Sequence, residues 1–299
     1  MNPKRVAAVV APSSTFARDA LQAGVRRLGE HFDVRCDPRV YDRAGFLAGD
    51  DSMRAEILVA ALRDPDVRVV FVARGGYGCT RVLEIAGEAL RDALVRDPKP
   101  IVGFSDVTAL HALWYAAGVV SVHGPMVAAI GRGTVREEDV RALIASLDGG
   151  PAGDWNDLDV VVAGAAEGKS FGGNLAVLTS LCGTRHFPDL NGTVLFLEDV
   201  TEKPYRIDRM LTTLRMAGAF TGVRAFVLGD FVDCEPGPDG VGADDVLAER
   251  LCDLGVPIVR GAPFGHGTRN APIAFGSGVL VADGSVRWPA PARSGSTPP

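Results

Sequence analysis

The chain of 299 residues lacks the features that define several protein classes. It has few cysteines, and they are scattered without a Cys-x-x-Cys pair: Cys36, Cys79, Cys182, Cys234 and Cys252. An odd and dispersed set argues against a disulfide framework or a thiolate zinc site, and it favours a reducing compartment. No His-Glu-x-x-His or comparable spacing indicates a metal centre. We therefore expect no metal and no cofactor.

Long apolar runs and basic stripes are also missing. The apolar run at residues 6–11 ends at Pro12, and no run reaches membrane-spanning length. The formal net charge is −6, without clustered basic residues, so nucleic acid is not an expected partner. Hydrophobic residues make up 47% of the chain, enough for a sizeable core. We expect a soluble cytoplasmic protein with no membrane partner.

The most informative stretch covers residues 100–115. A buried strand ends near Val102, and apolar residues at helical spacing begin at Val107. Ser105 lies in the tight turn between them. Such a turn is typical of a nucleophile elbow, in which the hydroxyl is exposed and the next backbone N–H can bind an oxyanion. The alternative is that Ser105 or Asp106 only caps the helix.

Strands and helices alternate through the first half at intervals of roughly 30 residues, which is typical of a parallel α/β sheet. Suggestive turns follow four predicted strands, at residues 12–14, 74–78, 105 and 123–125. Because such turns share one edge of a parallel sheet, we expect them to converge. The glycines at 74–78 fit a phosphate cradle, a plain turn, or an oxyanion donor from Gly75 or Gly76 beside Asp106.

Two further expectations concern local structure in this half. Ser14 or Thr15 is a candidate cap for the first helix, and residues 34–40 are a candidate second strand.

A serine nucleophile requires a base, and the base requires an orienting carboxylate. His266 lies between two glycines after a predicted strand, so its ring has access, while His123 at another strand end is the rival base. The remaining histidines are interpreted as surface, capping or structural residues: His31, His111 and His186. Glu198 ends a buried strand, where a carboxylate without a partner is costly, and Asp199 is the adjacent alternative. A triad of Ser105, His266 and Glu198 is one arrangement that fits.

The domain organisation follows from composition shifts along the chain. We predict an N-terminal α/β domain that carries the serine, a linker, a C-terminal domain that carries the glutamate and histidine, and a loose tail rich in proline and serine. These segments cover residues 1–150, 151–165, 166–290 and 291–299.

Several stretches, taken in order, are similar to motifs of one peptidase family. They are Phe46-Leu-Ala-Gly-Asp-Asp51, Arg74-Gly-Gly-Tyr-Gly78, Gly103-Phe-Ser-Asp106, Gly172-Gly-Asn-Leu175, Leu197-Glu-Asp199 with Pro204-Tyr-Arg-Ile-Asp-Arg209, and Pro263-Phe-Gly-His-Gly267 with Asn270. Because of these motifs taken together, the chain resembles the LD-carboxypeptidase family of serine peptidases. This family comprises the murein tetrapeptide carboxypeptidases and also the microcin C immunity proteins. Where the family tends to show Leu-Pro-Leu-Gly, this chain has residues 273–276, which we expect to form a loop supporting the histidine.

The resemblance implies an N-terminal flavodoxin-like, or class I amidotransferase-like, parallel-sheet domain and a C-terminal mixed α/β domain, with the site between them. It implies a triad in the chain order serine, glutamate, histidine: Ser105, Glu198 and His266. The implied oxyanion donors are the N–H groups of Asp106 and Gly76, with Gly75 as the alternative to Gly76. The resemblance also implies a metal-free, cytoplasmic homodimer.

The activity implied is that of an L,D-carboxypeptidase, which releases the terminal D-Ala from murein tetrapeptides in peptidoglycan recycling. The alternative is an immunity-type hydrolase of peptidyl or aminoacyl nucleotides, including acyl-sulfamoyl adenylates, for which Trp155 is either a stacking residue or a residue of the packed interior. A non-catalytic protein that binds wall fragments is a third possibility, which the intact triad disfavours. We expect the substrate to contact Arg74, Tyr77 and Arg209. Arg206 and Arg209 are candidates for the cation that binds a terminal carboxylate, or else solvated helix charges.

Overall fold

The computed structural model describes residues 3–148 and 153–289, and these form two β-sheets covered by helices. The predicted tail at residues 291–299 lies outside the described residues, as do residues 151–152 of the predicted linker. Within the described ranges, no helix combines the length and the apolar character needed to cross a membrane.

The first half forms a parallel sheet in the strand order β2-β1-β3-β4-β5, which is the flavodoxin-like order. Its strands are Val6–Val10 (β1), Asp33–Cys36 (β2), Val67–Val72 (β3), Ile101–Gly103 (β4) and Ser121–His123 (β5). Its helices are Arg18–Leu28 (α1), Asp51–Arg63 (α2), Cys79–Arg96 (α3), Thr108–Ala116 (α4), Val127–Arg132 (α5) and Glu137–Leu147 (α6). Because the strand order reverses between β1 and β3, the turns that follow these two strands border a crevice suited to a ligand.

A local sequence signal explains the start of α2. Asp50 caps α2, since its carboxylate accepts the N–H of Met53 at 2.8 Å. The predicted caps of the first helix are wrong: α1 begins at Arg18 without a side-chain cap. The second strand is shorter than predicted, because Pro38 starts a 3₁₀ turn directly after it.

The second half forms a mixed sheet in the order β13-β12-β7-β8-β9-β10-β6. Its strands are Asp159–Val162 (β6), Ala165–Asn174 (β7), Thr193–Val200 (β8), Ala225–Val232 (β9), Ile258–Arg260 (β10), Gly278–Ala282 (β12) and Ser285–Arg287 (β13). Its helices are Leu175–Ser180 (α7), Pro204–Met216 (α8) and Ala243–Leu251 (α9). Strands β7 to β10 run parallel, so their carboxyl ends also share one edge. The predicted fold class is confirmed.

The predicted loop at residues 273–276 is wrong, because Ile273–Phe275 (β11) pairs antiparallel with β5 and extends the first sheet. Ile273 and Phe275 are buried, with Ala274 facing the other way, which is the alternation of a strand. A strand of three residues is too short for this alternation to be recognised in sequence.

Part of the stretch interpreted as a linker is structured. Strand β6 pairs antiparallel with β10, and Trp155 forms an isolated bridge with Val286. The valines of β6 are only half-buried or exposed, so the hydrophobic signal of this edge strand is weak.

The two sheets approach each other beside the turn after β4. The backbone N–H of Asn174, at the end of β7, donates to Thr108 Oγ1 at 3.0 Å. A Cβ atom at Gly173 would lie 2.4 Å from the same oxygen, so the contact requires glycine there. The carboxyl edges of both sheets therefore meet at one junction, beside the turn that carries Ser105.

Candidate active site

Ser105 lies in a strained turn between β4 and α4. Its φ is +63°, a left-handed conformation that is uncommon for a residue other than glycine. A Cβ atom at Gly103 would lie 2.8 Å from Val107 Cγ2, so the turn is tightly packed. In the usual elbow pattern glycine stands where this chain has Val107, whose side chain instead packs on Gly103. Strain of this kind costs on the order of 1–3 kcal/mol and is concentrated at functional sites.

The glycine-rich turn after β3 lies directly against the serine. A Cβ atom at Gly75 would stand 3.1 Å from Ser105 Cβ and 3.3 Å from Ser105 Oγ. Gly76 has a φ of +108°, and a Cβ atom there would lie 2.5 Å from Ser14 Oγ. Among the described residues, the backbone N–H groups of Asp106 and Gly76 have no hydrogen-bond acceptor.

The side chain of Asp106 joins three of the four predicted turns. Its Oδ2 atom accepts the hydroxyl of Ser13 at 2.6 Å and the backbone N–H of Cys79 at 2.9 Å. Ser13 follows β1, Cys79 begins α3 after β3, and Asp106 follows β4. The carboxylate is buried, and hydrogen bonds to a charged acceptor are strong in such surroundings. The sequence predicts that these turns share one edge of the sheet, but it does not predict the hydrogen bonds that Asp106 accepts from Ser13 and Cys79.

Glu198 and His266 form a direct pair. The Nδ1 atom of His266 lies 2.7 Å from Glu198 Oε2, while the other carboxylate oxygen is buried and has no hydrogen-bond partner in the part of the chain that the structure describes. Burial lowers the pKa of His266, but the hydrogen bond and the charge of Glu198 outweigh it, so the pKa is raised above its usual value. In the neutral ring, a proton on Nδ1 leaves Nε2 free to accept one.

The two glycines beside His266 fit against two carboxylates. Gly265 has a φ of +115°, and a Cβ atom there would lie 2.9 Å from Glu198 Oε2. A Cβ atom at Gly267 would lie 1.9 Å from Asp230 Oδ2. Burial, and then the charge of Glu198, raises the pKa of Asp230. Sequence reasoning missed Asp230, although its place near the carboxyl end of β9 was a usable signal.

The structure brings the serine and histidine to the same junction without joining them. The rings of Phe104 and His266 have centroids 4.8 Å apart, which places the imidazole beside the residue that precedes Ser105. Asn174, which contacts the helix after Ser105, pairs in register with Glu198. No hydrogen bond links Ser105 Oγ to the imidazole within the described residues.

The alternative carboxylate has other partners. Asp199 accepts the side-chain amide of Asn174 at 2.8 Å and the backbone N–H of Ala176 at 2.9 Å. Burial raises the pKa of Asp199 to about 6. Its side chain therefore anchors the start of α7 rather than a histidine.

The rival base, His123, is enclosed by aromatic rings. It is fully buried, and neither ring nitrogen has a hydrogen-bond partner among the described residues. Burial holds the pKa of His123 well below its usual value, so the ring is neutral. His111 is also buried, where Ser121 Oγ lies 2.8 Å from Nδ1 and the Gly103 carbonyl 2.9 Å from Nε2.

The residues expected to contact substrate occupy two places. Arg74 donates to the Thr15 carbonyl, and Tyr77 is 45% exposed beside the similarly exposed Phe46, with ring centroids 5.9 Å apart. Both adjoin the glycine-rich turn at the serine. Arg209 instead lies over the exposed ring of Tyr205 on α8, 5.5 Å from its centroid.

Two other candidates have aromatic neighbours. Arg206 also lies over Tyr205, 5.9 Å from the ring centroid. Trp155 is buried, stacked on Phe264 with centroids 6.0 Å apart and close to Trp288 at 4.9 Å. It is a core residue and is not free to stack on a ligand. Across residues 3–148 and 153–289, no cluster of side chains is suited to hold a metal ion.

Comparisons with known proteins identify the family and the fold. Family models of the LD-carboxypeptidase N-terminal and C-terminal domains match residues 7–124 and 167–281. The murein tetrapeptide carboxypeptidase of Pseudomonas aeruginosa is 32% identical over 293 residues, 94% of each chain. The structure of muramoyltetrapeptide carboxypeptidase from Oxalobacter formigenes superposes with a TM-score of 0.83 at 30% identity, covering 94% of this chain and 97% of that one. MccF in complex with glutamyl sulfamoyl guanosine shares the fold, with a TM-score of 0.84 at 20% identity over 96% of both chains.

Proposed function

The chain belongs to the LD-carboxypeptidase family of serine peptidases, and on that premise we propose that it releases the terminal D-Ala from murein tetrapeptides in peptidoglycan recycling. The observation that carries the proposal is the pairing of His266 with the buried Glu198 at 2.7 Å, beside the strained turn of Ser105. The names of the relatives supply the substrate class.

In this mechanism His266 acts first as a general base. Its Nε2 atom takes the proton of Ser105 Oγ, which attacks the carbonyl carbon of the L,D peptide bond before D-Ala. Glu198 holds the proton on Nδ1 and stabilises the imidazolium that forms. The tetrahedral oxyanion accepts hydrogen bonds from the N–H groups of Asp106 and Gly76, and loss of one such donor costs roughly 100-fold or more in rate.

The second half of the reaction uses the same residues. The imidazolium of His266 protonates the amine of D-Ala, the C–N bond breaks, and the acyl group remains on Ser105. Water then attacks the ester with His266 again as base, which releases the tripeptide acid and restores the serine.

Recognition of the terminal carboxylate requires a cation near the serine. We assign this role first to Arg74, which directly precedes the turn packed on Ser105. Tyr77 would contact the peptide, and Arg209 is the second cation candidate. Arg209 is exposed on a different element, so its contribution requires a substrate long enough to reach α8.

A second candidate function is hydrolysis of peptidyl or aminoacyl nucleotides with the same triad. The exposed aromatic pair of Phe46 and Tyr77 favours it, because such rings can stack on a nucleobase. A non-catalytic binding protein is disfavoured, since a binder has no use for a histidine paired with a buried carboxylate.

The proposal includes the setting in which the enzyme works. We propose a cytoplasmic homodimer whose N-terminal domain covers residues 1–150 and whose C-terminal domain covers residues 166–290, joined by a linker at residues 151–165. The free state of all five cysteines fits a reducing compartment.

The test is release of D-Ala from a purified murein tetrapeptide, followed by mass spectrometry. We assay three proteins: wild type, Ser105→Ala and the control Ser180→Ala, which changes a serine exposed on α7. Each protein is also assayed with aspartyl sulfamoyl adenosine as a second substrate. We expect release by wild type and the control, with loss in Ser105→Ala. Cleavage of the nucleotide analogue alone would replace the murein assignment by the second candidate. Release by all three proteins would remove Ser105 as the nucleophile.

A further inference from the structure

The loop that carries His266, here called the histidine loop and comprising residues 263–271, is closed at its base. The N–H of Ala271 donates to the Pro263 carbonyl at 2.9 Å. The side chain of Asn270 crosses the loop and accepts the N–H of Gly265 at 3.4 Å. These two hydrogen bonds connect the C-terminal arm of the loop to the segment that carries His266, so a contact that holds this arm also bears on the position of the imidazole.

The C-terminal arm of the histidine loop, next to its base, is held by Asp139, a residue of the first half. Asp139 Oδ1 accepts Arg269 Nε at 3.0 Å and Arg269 Nη2 at 2.8 Å. Asp139 Oδ2 accepts the backbone N–H of Asn270 at 3.0 Å. Glu138 adds a second carboxylate, 3.1 Å from Arg269 Nη1. These contacts join α6 to a loop 130 residues further along the chain.

Because Asp139 is buried, its contacts with Arg269 and Asn270 are restricted to one geometry. The residue is 1% exposed, whereas the side chain of Arg269 is 35% exposed. A buried carboxylate is tolerated only when its hydrogen bonds are well formed, and the planar guanidinium fork meets that need in one orientation. The contact therefore fixes both the distance and the direction of the histidine loop relative to α6.

Such a link matters because the triad is divided between the two halves of the chain. Ser105 follows a strand of the first sheet, while Glu198 and His266 belong to the second half. We propose that Asp139, acting through Arg269 and Asn270, is a positioning residue that sets the approach of His266 to Ser105. This inference deepens the proposed function and rests on it, since Asp139 contacts no reacting atom.

The expected consequence is a change in rate rather than in substrate affinity. Proton transfer between Ser105 and His266 depends on their alignment, and a displacement of about 1 Å can cost about 100-fold. The side-chain contacts of Asp139 among the described residues go to Arg269 and Asn270 and not to the turn that we assign to substrate binding, so KM is expected to stay constant.

The experiment compares Asp139→Asn and Arg269→Lys with matched changes in another ion pair. Arg215 and Asp253 form an exposed bridge, with Nη1 and Oδ1 2.6 Å apart, so Arg215→Lys and Asp253→Asn serve as controls. Active sites are first titrated with a fluorophosphonate, which phosphonylates a serine activated by its histidine and displaces fluoride. The values of kcat per titrated site and KM are then measured with murein tetrapeptide.

We expect Asp139→Asn to lower kcat per titrated site by about 10- to 100-fold with KM within about twofold of wild type. Arg269→Lys keeps a cation beside the buried carboxylate and is expected to lose less, so it remains informative if Asp139→Asn fails to fold. The controls are expected to match wild type. The proposal would be overturned if kcat per titrated site stayed unchanged in the variants, and if they lost only thermal stability or the fraction of protein that reacts with the fluorophosphonate.

The fluorophosphonate separates failure of this inference from failure of the proposed function. Its rate of reaction with wild type depends on Ser105 and His266 and not on murein. If wild type is labelled but leaves murein intact, the substrate assignment fails, and the labelling rates of the Asp139 and Arg269 variants still decide the positioning role. A wild type that is neither labelled nor hydrolytic would overturn both.

Discussion

His266 Nδ1 lies 2.7 Å from Oε2 of Glu198, a carboxylate with no exposure to solvent. A buried acceptor at this distance fixes the orientation of the ring and favours the proton on Nδ1. It also stabilises the imidazolium, and for that reason the pKa of His266 is raised despite the burial that opposes it. A base must be neutral to accept a proton, so the same contact sets the pH range of activity.

The pH dependence of Glu198→Gln tests this relationship. The neutral amide no longer stabilises the imidazolium, so the pKa of His266 falls and the acidic limb of kcat/KM moves to lower pH. Because Gln can also favour the wrong tautomer, kcat is expected to fall by about 10⁴-fold. The measurement is a pH–rate profile, with Glu249→Gln on the exposed face of α9 as control. An unchanged acidic limb would contradict the pairing.

The close approach of Gly75 to the serine gives a steric prediction. A methyl group at this position would lie 3.1 Å from Ser105 Cβ and 3.3 Å from Oγ, so Gly75→Ala displaces the nucleophile or the turn. We expect kcat to fall at least tenfold, since misplacement of about 1 Å is costly. Gly278→Ala is the control, because a Cβ atom there meets nothing within 4 Å. Equal activity of the two variants would show that the turn tolerates displacement.

The hydroxyl of Ser13 supports Asp106, and its removal has a measurable cost. Ser13→Ala deletes a 2.6 Å hydrogen bond to a buried carboxylate, so we expect the free energy of unfolding to drop by about 1–3 kcal/mol. Denaturant unfolding measures this, with Ser180→Ala at an exposed helix position for comparison. A loss no larger than that of the control would mean that the Asp106 network contributes little to stability.

Trp155 is expected to act through packing alone. Its ring is enclosed by Phe196, Phe264 and Trp288, so Trp155→Ala should destabilise the protein by about 3–5 kcal/mol. The ratio of rates on murein tetrapeptide and aminoacyl-sulfamoyl adenylate is expected to stay constant. Thermal unfolding and parallel assays of the two substrates check both statements. A change in the ratio without destabilisation would place the ring in the site.

Sequence patterns predict the features that depend on short stretches of neighbouring residues. The apolar strands and the turn at Ser105 each follow from a few neighbouring residues. The parallel-sheet rule then placed the turns after β1, β3 and β4 at one edge, and the Asp106 carboxylate does join two of them to its own. The family motifs indicated Glu198 and His266 as partners.

Features that depend on distant contacts were not accessible from sequence. Strand β11 is recognisable only by its pairing with β5, and β6 only by its pairing with β10. In the sequence, Asp139 is one of three acidic residues in the first turn of α6, a place where solvated carboxylates are common. Its partner Arg269 is 130 residues away, so no local pattern marks it as buried.

Mass spectrometry of the fluorophosphonate-labelled protein identifies the nucleophile. We expect a single adduct on the peptide that contains Ser105, absent in Ser105→Ala and formed much more slowly in His266→Ala. Ser13 and Ser14, which lie at the same sheet edge, should carry no label. An adduct on another serine, or labelling that survives His266→Ala at the wild-type rate, would contradict the assignment of Ser105 and His266 as nucleophile and base.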